Sequence, residues 1–486
     1  MKKAIILMTA LLVKVFEAGV QAKPFTQGNL VIYRVGDGTS PLTNAGNYAF
    51  IDELTTNGIL VQSIALPANQ FIDANGNTNF PIQNSAAATS EGGMTLSTDG
   101  RYVVFCGYAT NDQWKVLQSG AQLPTDTSVN RLIGTVDSKG NINTTTAFSN
   151  FINGSGGNPR CAASTDGSNL WLCGSTKGVG YVTLGGSVVT QLVGNTNKRN
   201  IGIFNPRPDF TYPPNHQQLY AMNATGILSV GTNVATVSTV ESNLTGFGAS
   251  VTNAVPLGSP YQFVLLNLQA GSTNVDTMYI ADEGSNVSKW CYNQISTTWS
   301  NVGSINTVSG PNGISIPCGV RGITASVFVS GSQTNVDLFL AAGCGGSGTG
   351  VVPGGFLYHV RDSSGYGGSL SGQLPMPLAT TANLFASTPL MEWRGVAFAP
   401  ADTFQVKSIA KSGNDVPVTW NAMGGRNYIV QSTPGDASGN YSNNFVNIGP
   451  TNWALGFGVT QASYTDVGGA TNKPSRYYRI QLVPDP

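Results

Sequence analysis

Residues 92–108, GGMTLSTDGRYVVFCGY, return in altered form at 160–175 as RCAASTDGSNLWLCGS. Each copy starts with a strand of small residues and turns through Ser-Thr-Asp-Gly. A second, more apolar strand follows and again ends in small residues. The Asp-Gly pair suits a tight hairpin because it accepts the positive φ that such turns demand. The theme recurs in HQQLYAMNATGILSVG (216–231), in MYIADEGSNVSKWCYN (278–293), and in VDLFLAAG (336–343) with GGFLYHVRD (354–362). Short strands repeated at intervals of roughly 40–75 residues are the mark of a β-propeller, whose thin blades must stack around an axis to bury their faces.

Innermost strands are expected near 94–97, 161–164, 200–204, 261–266, 322–328 and 395–399. The last, RGVAFAP (394–400), has no second strand after it. GNLVIYRVG (28–36), YAFIDELTTNG (48–58) and ILVQSIALP (59–67) are three strands lacking an innermost partner. One closing blade built from both ends solves both problems and removes two sheet edges. The expectation is an all-β chain with a six-bladed propeller over 24–403, or a seven-bladed one if the loops at 68–90 and 109–130 hide strands.

The composition agrees. Only 10% of the 486 residues are charged, against about 25% in an average soluble protein. Glycine numbers 60, while 41% of residues are hydrophobic, too many for a disordered chain. Lys plus Arg equals Asp plus Glu at 24 each. No global field exists to attract nucleic acid or an anionic membrane. Lys2 and Lys3 precede the apolar AIILMTALLV (4–13), and VQA ends at Ala22. Residues 1–22 thus read as a secretory signal peptide, too short to span a bilayer. The expected location is secreted or at the cell surface, with no membrane span.

MYIADEGSNVSKWCYN resembles a blade of the NHL type, with its strand, Ala-Asp and Gly-Asn-like turn. After about 403 the strands change in character and become evenly spaced. They are VKSIAKSGNDVPVTW (406–420), RNYIVQSTP (426–434), FVNIGP (445–450), ASYTDVG (462–468) and RYYRIQLV (476–483). Trp420 on an early strand and the final YYRIQLV resemble a fibronectin type III-like sandwich, placed at 404–486. The whole chain looks like exported bacterial proteins that pair a propeller with a small terminal sandwich.

Aligning the innermost strands puts an arginine at one position four times: Arg160, Arg199, Arg321 and Arg394. The blade starting near SPYQFVLL (259–266) lacks one, and the second blade has Gly93 there. Glu91 precedes Gly93 by two residues, as Glu392 precedes Arg394. Such arginines should converge on one mouth of the channel. Guanidinium forks suit carboxylate, sulfate or phosphate, and like charges held together need an answer. Either Glu91, Glu392, Asp282, Glu283 and loop carbonyls answer them internally, or an anion does.

Six cysteines in an exported chain point to disulfides, with Cys161–Cys173 and Cys318–Cys344 the expected pairs. Cys106–Cys161 between neighbouring blades competes. No CxxC occurs and neither histidine lies near the cysteines in sequence, so no metal site is expected. His216, Tyr212 and Arg199 could form a base beside a carboxylate-neutralising arginine. Asp282 and Glu283 are adjacent on a strand and therefore point apart. DANGNTNF (73–80) alternates ligand-type residues like a calcium loop but has one carboxylate. Trp114, Trp299 and Trp453 could stack on sugars. No nucleophile elbow, zincin or P-loop motif appears, and nothing asks for a cofactor.

The expected role is an exported binding or structural protein, with acidic glycan as the ligand class at the channel mouth. Two alternatives stand beside it. One is a carbohydrate-active lyase or hydrolase acting on acidic polysaccharide. The other is a surface or filament subunit that self-associates through the terminal sandwich.

Overall fold

The computed structural model describes residues 22–482, apart from 87, 112–121, 155, 195, 205–216, 245–258, 270–274, 284–285, 307–318, 331–332, 344–353, 371–372, 374, 386–389, 402–405, 424–425, 455–458 and 472–474. The signal-peptide reading falls on residues 1–22, almost wholly outside that set.

The fold is a β-propeller. Among the described residues its strands pair antiparallel in six sets of four. The second set runs outward from Thr95–Leu96 through Tyr102–Tyr108 and Arg131–Asp137 to Ile142–Phe148. The third begins at Pro159–Ser164, the fourth at Asn200–Phe204, the fifth at Pro260–Leu266 and the sixth at Val320–Ser330. The remaining set joins the two ends of this region. Its innermost strand, Glu392–Phe398, pairs with Leu30–Val35, which pairs with Asn47–Leu54 and then Leu60–Ala65. The short strand Gln83–Asn84 bonds both Asn47–Leu54 and Tyr102–Tyr108, tying this closing set to the second.

Each innermost strand touches the next, from Thr95–Leu96 around to Glu392–Phe398 and back, so the ring is closed. The buried apolar side chains lie between neighbouring sets. Tyr33, Phe105, Met94 and Val396 share one cluster, for example, and Tyr279, Leu340 and Val360 another. This is what blades too thin to cover themselves require.

The ring is tightest where glycine stands. A Cβ on Gly395 would lie 2.5 Å from the Gly92 carbonyl oxygen and 2.6 Å from the Met94 nitrogen. One on Gly322 would meet the Arg394 oxygen at 2.7 Å, and one on Gly93 the Arg160 oxygen at 2.8 Å. The Gly93 amide donates to that same Arg160 oxygen at 2.9 Å. Innermost strands therefore approach backbone to backbone in a narrow collar. That is why glycine follows arginine in both RGITAS and RGVAFA.

Beyond the propeller lie two further sheets. One contains Val406–Ile409, Val416–Met423 and Val459–Asp466. The other pairs Arg426–Gly435 with Val446–Asn447, Asn452–Ala454 and Ser475–Leu482. Both sheets contribute to one cluster in which Trp420 is fully buried and packs against Tyr428.

Candidate functional site: the mouth of the channel

The recurring arginines owe their direction to a recurring irregularity. In the third set Pro159 opposes Gly174 and Cys161 opposes Cys173, which leaves Arg160 as the extra residue of a bulge. In the sixth, Val320 opposes Ala342 and Gly322 opposes Ala341, leaving Arg321. In the closing set Arg394 and Gly395 share one opposing residue, Tyr33. The fifth set has the same bulge at Tyr261, between the pairs Pro260–Asp282 and Gln262–Ala281. A bulge re-aims one side chain without changing the strands around it. Arg199 enters differently, just ahead of Asn200–Phe204, with its amide bonded to the Met222 oxygen at 2.7 Å.

The result is a shared mouth. Glu91, Arg199, Tyr261, Arg321 and Arg394 line one cavity with Thr89, Ser90, Gly93, Asn200 and Gly395. Its volume is about 10 Å³, room for a single water-sized group. Arg160 lies next to it, close enough to be influenced by Arg199, Tyr261 and Glu91. Below, Gln262 crosses the channel. Its amide donates to the Met94 oxygen at 3.0 Å and accepts from the Ile323 amide at 3.1 Å. Further down is a mostly apolar space of about 30 Å³ lined by Met94, Phe204, Phe263 and Val396 among others.

Half of the mouth is neutralised by a chain of ion pairs. Arg321 bonds Glu283 through Nη2 and Glu392 Oε1 through Nη1 at 3.0 Å. Arg394 Nη2 reaches Glu392 Oε2 at 3.2 Å and the Ser85 carbonyl at 2.7 Å, and its Nη1 lies 3.8 Å from Glu91 Oε2. Glu91 in turn accepts from Tyr108 Oη at 2.5 Å and the Ser85 amide at 3.0 Å. The chain links four sets of strands, with Arg394 and Glu91 both essentially buried. Burial works against the Arg321 cation, but Glu392 and Glu283 outweigh it and hold its pKa above the ordinary value.

The other half differs. Arg160 bonds Asn197 Oδ1 and, at 3.1 Å, the Lys198 carbonyl oxygen. Arg199 bonds Ser259 Oγ at 2.6 Å. Neither has a carboxylate partner among the described residues. Burial lowers the Arg160 pKa, and Arg199 pushes the same way. The Nε atoms of Arg160, Arg199, Arg321 and Arg394 are buried without a hydrogen-bond partner among the described residues, as is Arg394 Nη1. Tyr261 sits between the halves, its ring 5.2 Å from the Arg199 guanidinium and 5.6 Å from that of Arg321.

Of the expected site residues, the structure brings Arg160, Arg199, Arg321, Arg394, Glu91 and Glu392 together. Asp282 stands apart. It is buried and accepts from the Ser259 amide at 2.8 Å, holding the entry to the adjacent innermost strand Pro260–Leu266, while its neighbour Glu283 joins the ring. Sequence reading missed Tyr261, whose signal was its place in SPYQF at the offset the arginines occupy elsewhere.

The expected Cys161–Cys173 disulfide is absent. The two residues do oppose each other in register, yet both thiols are free and buried, as are those of Cys106 and Cys291. Cys161 Sγ faces the oxygens of Ala162 and Ile201, each 3.7 Å away, the latter on the next innermost strand. Burial pushes its pKa up to about 12, so it packs as a small hydrophobe. The competing Cys106–Cys161 bridge is absent for the same reason. Cys318 and Cys344 lie outside the described residues, as do His216, Tyr212 and Trp114. Trp299 is buried against Tyr292 and offers no platform for a sugar.

The calcium-like loop is a hairpin turn. Asp73 accepts from the amides of Asn75 and Asn77 at 2.9 Å and from the Asn77 side chain. The same Asp-x-x-Gly-Asn turn recurs at 137–141 and 436–440 with the same bonds. Among the described residues no group of three His, Cys, Asp or Glu is placed to hold a metal.

Glu91 makes stability depend on pH. Burial raises its pKa, and the opposing pull of Arg394, Tyr108 and the Ser85 amide leaves it at about 7, against 4.5 for an ordinary glutamate. The folded value exceeds the unfolded one, so this group favours the fold fully below pH 4.5. The contribution is lost as pH rises through 7, by about 3 kcal/mol at most. Asp276, also raised by burial, adds in the same direction. Urea midpoints should therefore fall between pH 5 and pH 8, and Glu91→Gln should flatten that slope. A wild-type midpoint that rises over this window would contradict the assignment.

No family model matches the chain, and no curated protein matches it. Among solved structures it is similar to a periplasmic gluconolactonase of Pseudomonas aeruginosa, at 11% identity and a TM-score of 0.33, covering 89% of this chain and 99% of that one. It is also similar to U3-55K, at 10% identity and a TM-score of 0.34, covering 80% and 90%. A third is the WD40 repeats of RRP9, at 9% identity and a TM-score of 0.32, covering 82% and 91%.

Proposed function

We propose that the protein is an exported binding protein whose channel mouth accepts the carboxylate or sulfate of an acidic glycan. The observation that carries this reading is the asymmetry of the mouth. Arg321 and Arg394 are answered by Glu283, Glu392 and Glu91, while Arg160 and Arg199 have no carboxylate partner among the described residues. A monoanion between the latter two would complete the pattern, with Tyr261 beside it. The small cavity supports entry of the charged tip alone, so the sugar ring would lie outside. In this reading residues 1–22 direct export, 24–403 form the binding propeller, and 404–486 form a terminal sandwich that mediates self-association.

Titration with galacturonate oligomers and with neutral galactose oligomers tests it. Binding of the acidic series alone is expected. It should weaken with salt, and the Arg160→Ala, Arg199→Ala pair should lower affinity about tenfold or more. Absence of any binding by the acidic series would reject the reading. A structural subunit is the second reading, favoured by Gln262, which closes the channel below the mouth.

A further inference from the structure

A separate groove of about 490 Å³ opens on the flank of the propeller, between the closing set and the sixth. Its walls are the turn holding Thr56 and Asn57, the strands carrying Asp337, Phe339, His359 and Arg361, and the segment with Gln373 and Met376. The turn is held close. A Cβ on Gly58 would lie 2.5 Å from the Leu378 carbonyl oxygen, so backbone meets backbone there.

Cross-strand register builds the polar wall. Asp337 opposes Arg361 and Phe339 opposes His359. Asp337 Oδ1 lies 2.7 Å from His359 Nε2 and accepts from Arg361 Nε at 2.8 Å, while Oδ2 accepts from Arg361 Nη2 at 3.0 Å. Burial disfavours the Asp337 carboxylate, yet the bonds from His359 and Arg361 hold its pKa below the ordinary range. The imidazole packs against the Phe339 ring, tilted by 30° with centroids 5.2 Å apart. Its Nδ1 is the nitrogen that the carboxylate does not use. Met376 is 51% exposed and supplies an apolar surface.

We propose that this groove binds a neutral polyhydroxylated ligand of hexose size, independently of the channel mouth. Three features select that class. The volume falls within the roughly 300–1,000 Å³ typical of small-molecule sites. Asp337 and Arg361 neutralise each other, so no surplus charge is there to recruit an ion. The wall combines the amides of Asn57 and Gln373 with the carboxylate, guanidinium and imidazole, which together can donate to and accept from hydroxyls. Met376, with its exposed thioether, suits the apolar face of a sugar ring, while Phe339 is buried beneath His359 and only backs the imidazole.

The test is saturation-transfer NMR on the full chain with glucose, galactose, mannose and N-acetylglucosamine, each alone. At least one should bind. Asp337→Ala and His359→Phe should weaken it about tenfold or more, and Arg160→Ala should leave it unchanged. Asn57→Ala and Gln373→Ala lie outside the strands and serve if the strand variants fail to fold. Each should weaken binding by a few-fold. The proposal is overturned if no neutral sugar binds, or if one binds equally well to the Asn57 and Gln373 variants.

Discussion

Arg394→Met is expected to destabilise the propeller by about 3–5 kcal/mol, the range for breaking a buried ion pair from one side. The guanidinium is 1% exposed and lies between two buried carboxylates, Glu91 and Glu392. Methionine fills much of the space but answers neither. Glu392 keeps Arg321, whereas Glu91 loses its nearest cation. Glu91→Gln in the same chain should therefore restore part of the loss, and a double-mutant cycle in urea should show coupling above about 1 kcal/mol. If Arg394→Met costs less than about 1 kcal/mol, the ion chain is not what holds the mouth.

Gly395→Val should be more damaging still, giving little folded protein or a loss of at least about 3 kcal/mol. The neighbours a side chain would meet there are backbone atoms of Gly92 and Met94, which cannot rotate aside as a side chain could. Separating them means widening the collar, and that pulls on every set of strands in the ring. Gly322→Val should behave alike, with the Arg394 oxygen and Val396 nitrogen in the way. Gly194 provides the control: nothing lies within 4 Å of its Cβ position, so Gly194→Ala should stay within about 0.5 kcal/mol of wild type. Thermal melts of the purified variants decide the matter. Equal melting of Gly395→Val and Gly194→Ala would remove the collar from the account.

Much of the architecture was legible in the sequence because it is periodic. The Ser-Thr-Asp-Gly turns, the small-residue innermost strands and the unpaired RGVAFAP each state a local preference that the ring satisfies. The expected innermost strands overlap the observed ones, and Leu30–Val35 does pair with Glu392–Phe398. The arginine set was legible for the same reason. What gave it direction was not, since a bulge depends on how two strands count against each other. Tyr261 was not legible because a tyrosine interrupts the run of arginines at this position and its bulge leaves no composition cue. The Cys161–Cys173 reading erred at a finer level: register brought the residues together, but the Cys161 thiol faces the next innermost strand. Asp337 and His359 were invisible as a pair because their contact is diagonal across two strands.

Arg160 and Arg199, which have no carboxylate partner among the described residues, are proposed to receive the anion at the mouth. A crystal structure of the protein grown with galacturonate tests it most directly. The expected result is a carboxylate between the two guanidinium groups, beside Tyr261, with Arg321 and Arg394 still on Glu283, Glu392 and Glu91. Galacturonate absent from the mouth, with Arg160 and Arg199 each paired to a carboxylate of the protein itself, would contradict it.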